Sequence, residues 1–261
     1  MKFNNFKRFF PLLTLATVIT LCGCNKSQEE ENQSKHGVLT MGTSADMPPF
    51  EFFRTGEGGP HVTGFDVEVA QALGKELGLE VRIKDMDFSA LIPALQAGRV
   101  DFVMASMTPT PERRKNVDFS DAYLRLPVAV ISKAGVTITK TDQMKNKRVG
   151  VQFGSTHEQM LKELVKRDSS IKVASLNKLG ELVQELQAGR VDGVLMETSA
   201  ANSYVKSHPG LVSNELKSQK VDFAIAFPKG SAWREKFNSA LDKDAMQKKI
   251  NELRKKWIDS K

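Results

Sequence analysis

Apolar residues in the first half of the chain follow two alternating spacings, which predict strands and helices in turn. Short apolar runs at 38–43, 81–86 and 100–105 are typical of buried strands. Between the first two runs, apolar residues recur at helical spacing, as expected for a helix that buries one face. These positions are Phe65, Val69, Ala70, Leu73 and Leu77. With a second helix over 89–97, the elements predict a βαβαβ unit.

The second half repeats this plan with three predicted strands and two predicted helices. Its strands are expected at 148–152, 171–175 and 191–196, and its helices at 156–166 and 178–188. The heptapeptide LQAGRVD occurs at 95–101 and again, unchanged, at 186–192. Each copy predicts the end of a helix, a glycine stop and the start of a strand. The chain is therefore expected to contain two similar α/β units.

Two further apolar runs, at 119–131 and 221–227, show no helical period and lie on either side of the second unit. Their positions are those expected of two crossover strands, one leaving the first lobe and one returning to it. The amphipathic tail at 233–257 is then expected to pack on the first lobe. We predict an α/β fold of two βαβ-type lobes, with lobe 1 at 37–125, lobe 2 at 126–220 and the return to lobe 1 at 221–261. A single continuous sheet is the alternative.

The N-terminal segment predicts export. A basic start and an apolar run at 9–21 predict a secretory signal peptide over 1–23. That segment runs into the sequence LCGC, which resembles the lipobox of bacterial lipoproteins, in which Cys24 would be acylated. The polar segment 24–36 would then be a flexible tether. We expect a lipoprotein of the cell envelope, periplasmic or on the outer surface, held to the membrane through Cys24. The alternative is an ordinary signal peptide with an incidental cysteine.

Composition argues against several classes of function. Removing the three basic residues of the predicted signal lowers the formal net charge from +7 to +4. The remaining basic tracts are not interleaved with aromatic residues, so nucleic acid is not an expected partner. Cys24 is the only cysteine left after processing, which rules out an intramolecular disulfide and a cysteine metal site. The sequence contains no phosphate-binding loop, dinucleotide fingerprint or nucleophile elbow, and we predict neither a metal nor a cofactor.

Polar residues follow the last predicted strand of each unit, where open α/β sheets bind ligands. In the first unit these are Ser106, Met107 and Thr108, and Arg113 follows in the first turn of a helix that begins with Thr-Pro. An arginine in that turn opposes the helix dipole, which suggests that it binds an anion such as an amino-acid carboxylate. A surface salt bridge is the alternative.

The second unit also has polar residues that could bind a ligand, at the start of a helix and at the end of a strand. Ser155 and Glu158 fit a capping box, which leaves backbone N–H groups at a helix N-terminus available to an anion. An ordinary helix cap is the alternative. Glu197 ends the last strand and is expected to face the cleft, where a ligand ammonium would satisfy its charge.

The segment GFDVEVA at 64–70 resembles the signature of solute-binding proteins of polar amino-acid ABC importers. Further segments match the family in the same order along the chain, one before this segment at 49–51 and others after it at 106–113, 148–156 and 189–197. The resemblance covers essentially the whole mature chain. It implies a periplasmic binding protein type II-like fold.

The resemblance also assigns roles by position. Arg113, Ser106 and Thr108 would bind the ligand carboxylate together with the N–H of Thr156. Glu197, a glutamate where aspartate is commoner, would bind the α-ammonium. The full set of expected ligand contacts is Ser44, Met47, Glu51, Phe88, Ser106, Met107, Thr108, Arg113, Gln152, Ser155, Thr156, His157 and Glu197.

Several positions depart from the family pattern. Phe88 matches a side chain that flanks the ligand, but Met47 stands where its usual Tyr or Phe partner would be. Ser44 replaces the Asp that members binding basic amino acids often carry, and Ala105 and His157 occupy further ligand-facing positions. The identity of the ligand is therefore the least determined part of the resemblance.

A basic amino acid, with arginine favoured, is the expected ligand. Asp46, Glu51 and Asp87 are candidate partners for a cationic side chain, and Phe88 could stack on a guanidinium. Each of these acids has the alternative of a solvent-facing charge. Glutamine or another polar neutral amino acid is the second choice of ligand.

The resemblance implies capture of a free amino acid by hinge closure, without catalysis, and delivery to the membrane permease subunits of an ABC importer. A monomer is expected. Two alternatives stay open at this point. One is a periplasmic enzyme like cyclohexadienyl dehydratase on the same fold, since a fold does not fix a function. The other is a sensor or adhesive lipoprotein that binds an amino acid without feeding an importer.

Overall fold

The computed structural model describes residues 37–56 and 58–259. The predicted signal peptide, the predicted tether and the predicted acylation site at Cys24 lie outside the described residues. The strands are β1 (Val38–Thr43), β2 (Asp46–Met47), β3 (Glu51–Gly56), β4 (Gly59–Thr63), β5 (Glu80–Asp85), β6 (Phe102–Val103), β7 (Asp118–Lys133), β8 (Arg148–Gln152), β9 (Lys172–Leu176), β10 (Gly193–Glu197) and β11 (Leu211–Phe227). The helices are α1 (Phe65–Glu76), α2 (Leu91–Gln96), α3 (Pro111–Asn116), α4 (Thr156–Arg167), α5 (Leu179–Gln187), α6 (Thr198–Ser207), α7 (Trp233–Leu241) and α8 (Asp244–Trp257). None of the helices in this described part is long and apolar enough to cross a membrane.

Eight of the strands form one sheet, in the order β5-β1-β6-β11-β7-β10-β8-β9. On one side β1 pairs in parallel with β5 and β6, and on the other side β8 pairs in parallel with β9 and β10. The long strands β7 and β11 lie between these two sets and pair antiparallel. The two α/β units therefore flank a pair of crossover strands, as the sequence predicts.

The hydrogen-bonded order runs through all eight strands, but the central pair is divided in two. The register of β7 against β11 shifts between Glu215 and Lys220. On one side of this break β10 pairs with β7 at residues 128–131, and on the other side β6 pairs with β11 at Ala226. Each half of the central pair thus continues the sheet of one unit, which gives the mixed α/β fold its two lobes. The boundaries between lobes at 125/126 and 220/221 stay predictions.

The two copies of LQAGRVD occupy equivalent places. Gly98 and Gly189 have φ angles of 66° and 73°, the left-handed conformation that ends a helix and favours glycine. After each glycine, the aspartate of the repeat ties the next strand to the first strand of its unit. Asp101 Oδ2 accepts a backbone N–H of β1 at 2.6 Å, and Asp192 Oδ2 accepts one of β8 at 2.7 Å.

Two elements of the first lobe differ from their predicted extent. The helix expected at 89–97 begins with a 3-10 turn at Phe88–Ala90 and becomes α2 only at Leu91. Pro93 explains this start, because proline has no N–H to donate and is tolerated only in the first turn of an α-helix. The strand expected at 100–105 is only two residues long in β6.

The C-terminal part also differs from its predicted extent. The crossover run expected at 221–227 is the end of the longer strand β11. The tail at 233–257 forms two helices, α7 and α8, and α8 packs on α1 of the first lobe. Lys243 Nζ lies 2.6 Å from Glu76 Oε1, and Lys256 Nζ lies 2.6 Å from Glu68 Oε1, so ion pairs border this contact. The tail therefore occupies the position on the first lobe that its amphipathic pattern favours.

Candidate functional site

One pocket collects side chains from both lobes near the ends of their strands. Ten of the predicted contacts line it: Met47, Phe88, Ser106, Thr108, Arg113, Gln152, Ser155, Thr156, His157 and Glu197. Ala105, which the family pattern also indicated, lies on the same wall. Sequence reasoning missed Leu179 and Met196, although Met196 directly precedes Glu197 and Leu179 begins α5.

Among the described residues, three of the predicted contacts do not line this pocket, and their roles stay predictions. Ser44 is buried and donates its Oγ–H to Asp46 Oδ1 at 3.0 Å. Glu51 is 1% exposed and faces other buried groups of the first lobe. Met107 lines a neighbouring, more apolar cavity with Phe153. The hydrogen-bond partner of Ser44 is a near neighbour in sequence, whereas Glu51 Oε2 accepts the hydroxyl of the distant Ser106 at 3.4 Å.

Arg113 is positioned by the start of α3. Thr110 caps this helix, since its Oγ1 accepts the N–H of Arg113 at 3.2 Å. The guanidinium of Arg113 donates to Thr108 O at 2.9 Å in the first lobe and to Gly154 O at 3.0 Å in the second. It also lies 5.2 Å above the ring of Phe88, at the distance of a cation–π contact. Burial lowers the pKa of Arg113 to about 10, so the side chain is still a cation at neutral pH.

The start of α4 faces the same pocket. Ser155 Oγ accepts the N–H of Glu158 at 3.1 Å, and Glu158 Oε2 accepts the N–H of Gly154 at 2.9 Å. This arrangement is close to the predicted capping box, but the glutamate reaches one residue further back than the cap residue itself. Thr156 and His157 follow in the first turn, where the helix dipole favours an anion.

Glu197 and His157 lie next to each other on the pocket wall, an acid beside a neutral imidazole ring. Burial raises the pKa of Glu197 to about 7, and the charge of Arg113 opposes this rise. Burial lowers the pKa of His157 to about 4, and the charge of Arg113 acts in the same direction. His157 Nε2 lies 3.8 Å from Glu197 Oε1, which is too long for a hydrogen bond, and the neutral ring makes no ion pair. A cation bound here would be a counter-ion for the Glu197 carboxylate.

Asp46 joins the two lobes. Its carboxylate accepts the backbone N–H of Leu179 at 2.8 Å and the Nε2–H of Gln152 at 3.2 Å, both from the second lobe. Its carbonyl oxygen accepts the hydroxyl of Tyr204 at 2.7 Å. Asp46 therefore accepts hydrogen bonds from protein donors, and one of these donors, Gln152, lines the pocket.

Asp87 also bridges the lobes. Asn177 Nδ2 donates to Asp87 Oδ2 at 3.0 Å, and Lys178 Nζ lies 3.2 Å from Asp87 Oδ1. Asp46, Asp87 and Glu51 are thus off the wall of the pocket in the described part of the chain. Glu197 is the acid on that wall.

The arrangement fits a zwitterion. A buried cation, two hydroxyl side chains and a helix N-terminus are available for a carboxylate, and a buried acid is available for an ammonium. No group of three or more His, Cys, Asp and Glu side chains in the described part of the chain is arranged to hold a metal ion. The fold and the pocket together define the class of two-lobed solute-binding proteins.

Comparison with known proteins agrees with this class. Residues 39–260 match the family described as bacterial extracellular solute-binding proteins, family 3, and the chain belongs to that family. It is 40% identical to the arginine-binding extracellular protein ArtP of Bacillus subtilis (strain 168), over 97% of this chain and 98% of the relative. It is 32% identical to the putative ABC transporter arginine-binding protein 2 of Escherichia coli (strain K12), over 85% of this chain and 90% of the relative.

Solved structures are similar as well. An ancestral arginine-binding protein bound to arginine superposes with a TM-score of 0.77 at 41% identity, covering 85% of this chain and 98% of that one. An amino acid ABC transporter substrate-binding protein from Streptococcus pneumoniae, bound to L-arginine, gives a TM-score of 0.80 at 28% identity, covering 87% of this chain and 96% of that one. The resemblance to amino-acid solute-binding proteins that the sequence motifs indicated is therefore confirmed.

Proposed function

We propose that this chain captures L-arginine outside the cytoplasm and delivers it to the permease subunits of an ABC importer. The pocket carries this proposal, because Arg113 and the start of α4 are matched to an α-carboxylate and Glu197 to an α-ammonium. The names of the similar proteins, which bind arginine, support the choice of side chain. The chain acts as a monomeric binding protein and not as an enzyme. Acylated Cys24 holds it to the membrane.

The proposed binding mode uses groups on both lobes. Ser106, Thr108 and Arg113 bind the ligand carboxylate with the N–H of Thr156, and Glu197 binds the α-ammonium. Because these groups come from two lobes, binding draws the lobes together and removes water from the charged pairs. Removal of water strengthens each electrostatic contact.

Gln152 supports arginine as the ligand. Its Nε2 donates to Asp46 and, at 3.2 Å, to Asn177 O. Gln152 lines the pocket, and because its amide nitrogen is engaged, its carbonyl oxygen is the atom left to accept a hydrogen bond from a guanidinium. Asp46 adds negative charge behind the amide, and Phe88 provides a face for the planar cation. Lysine and ornithine share the charge of arginine but lack its planar shape.

A thermal-shift screen of the processed protein tests this proposal. After unfolding and refolding to remove any ligand carried through purification, the protein is screened against the proteinogenic amino acids and ornithine. A ligand at about 100 times its Kd should add about 2.7 kcal/mol to the free energy of unfolding, which raises the melting temperature. We expect a response to arginine, alone or with lysine and ornithine. A protein that responds to no amino acid would contradict the proposal and would make turnover of prephenate- or arogenate-type substrates the next assay.

The affinity for arginine is expected to depend on pH through Glu197. The carboxyl has a pKa of about 7 in the ligand-free pocket, and a bound ammonium lowers that pKa by favouring the charged form. Binding therefore releases a proton below neutral pH, so the affinity falls as pH decreases, by at most about tenfold per pH unit. Calorimetry between about pH 5.5 and 8 measures this slope.

Glu197→Gln is the control for the pH series. It removes the titrating group, so its affinity should change much less with pH. Any slope that stays in this variant reports other groups, such as Asp66, whose pKa burial raises to about 6. Equal slopes in the parent and the variant would show that Glu197 is not the group that the ligand titrates.

A further inference from the structure

A buried polar cluster lies behind the part of the pocket assigned to the ligand carboxylate. Its members are Glu51 at the start of β3, Asp66 in the first turn of α1, Tyr123 in β7 and Ser106 after β6. Asp66 is 0% exposed, and its Oδ2 accepts the hydroxyl of Tyr123 at 2.8 Å and the backbone N–H of Ser106 at 2.7 Å. Ser106 is the member that also lines the pocket.

The backbone of Ser106 adopts an unusual conformation. Its φ angle is 49°, which lies in the left-handed region that residues other than glycine rarely occupy. Such a conformation persists only where the surroundings impose it. Here Asp66 Oδ2 accepts the N–H of Ser106 at 2.7 Å, so this carboxylate fixes the backbone of residue 106. The Oγ of Ser106 makes only long contacts to the two acids, at 3.4 Å to Glu51 Oε2 and 3.5 Å to Asp66 Oδ2.

The carboxyl groups of Glu51 and Asp66 lie together in a fully buried setting. Burial, followed by the nearby charge of Asp66, raises the pKa of Glu51 well above its usual value, and Asp46 and Glu197 add to this rise. Burial raises the pKa of Asp66 less, to about 6, because Ser106 and Tyr123 donate hydrogen bonds to its ionised form. Of the two groups, Glu51 therefore holds a proton more tightly, and Asp66, which faces Ser106, is the more acidic.

We propose that Asp66 is a positioning residue for ligand binding. Its hydrogen bond to the N–H of Ser106 holds that residue in the left-handed conformation that presents Ser106 to the ligand carboxylate. The assignment rests on the proposed function. Asp66 acts through Ser106, which lines the pocket.

A double-mutant cycle on arginine affinity tests this role, with the processed protein in calorimetry. Asp66→Asn weakens the acceptor for the Ser106 N–H, and we expect a loss of about tenfold, the scale of a hydrogen bond to a charged group. Ser106→Gly lets the backbone adopt a positive φ without support. In that background, Asp66→Asn should cost less than about twofold. Equal losses in both backgrounds would overturn the positioning role, because a merely structural effect does not depend on residue 106.

Glu51→Gln provides a second test that does not depend on the folding of the Asp66 variant. Glutamine keeps a neutral donor in the place of the protonated carboxyl, so affinity should stay within about twofold of the parent. A tenfold or larger loss would mean that Glu51 is the ionised member, and the assignment would be wrong. A parent protein that binds no amino acid would overturn the proposed function itself and this role with it. Normal parent binding with an additive cycle would overturn the role of Asp66 alone.

Discussion

Arg113→Ala is expected to weaken arginine binding by about 2–5 kcal/mol, the usual scale when one member of a buried charge pair is removed. This corresponds to a loss of roughly 30-fold to several thousand-fold in affinity. The guanidinium contacts both lobes, through Thr108 O and Gly154 O, so its removal also takes away a bridge that favours closure. A ligand carboxylate would then be desolvated in the pocket without a cation opposite it.

The adjacent arginine is the matched control. Arg114 lies on the same short helix but packs 5.3 Å above the ring of Phe119, away from the pocket wall. Arg114→Ala removes the same charge from the same turn, so long-range attraction changes equally in both variants, and only Arg113→Ala removes the direct contact. Titration calorimetry with arginine compares the two. Near-normal affinity of the Arg113 variant, or equal losses in both variants, would show that Arg113 does not bind the carboxylate.

The extent to which the sequence predicts this fold is clearest in strands β1 and β8. Their predicted and observed bounds agree, because these apolar runs are too short for a typical helix and are bounded by polar residues. The helix expected at 89–97 shows the opposite case. Apolar spacing predicts its buried face. It does not predict where the α-helix begins, because that depends on the N–H that Pro93 lacks.

The candidate site shows a similar division. Arg113 and Glu197 were identified from local sequence, because a cation at a helix start and an acid at the end of a buried strand conflict with their local setting. Glu51 was predicted as a ligand contact, but it is turned away towards Asp66 and Ser106. Those partners lie far from it in sequence, and no local pattern indicates such a contact. The carboxylate of Asp46 likewise accepts a hydrogen bond from a residue far away in sequence, Leu179 of the second lobe.

Glu197→Gln is expected to weaken arginine binding by about 2–4 kcal/mol, or roughly 30-fold to 1,000-fold. Glutamine keeps the size of the side chain and a carbonyl acceptor, so the loss reports the missing charge opposite the α-ammonium. Because burial already raises the pKa of Glu197 to about 7, the loss should be largest above neutral pH, where the parent carboxyl is ionised. The measurement is calorimetry at about pH 8, where this carboxyl is charged before the ligand arrives.

The ligand-free variant separates binding from folding. Burial raises the pKa of Glu197 even with Arg113 nearby, so its charge destabilises the folded state at neutral pH and above. Glu197→Gln should therefore leave the melting temperature unchanged or raise it. Glu181→Gln, on the exposed face of α5 in the same lobe, removes an equal formal charge and should alter neither affinity nor stability by much. Weaker binding together with an undiminished melting temperature is the result expected of an acid whose stabilising partner is the ligand. A fall in both quantities would instead place Glu197 among the groups that stabilise the fold, and the ammonium would need another counter-ion.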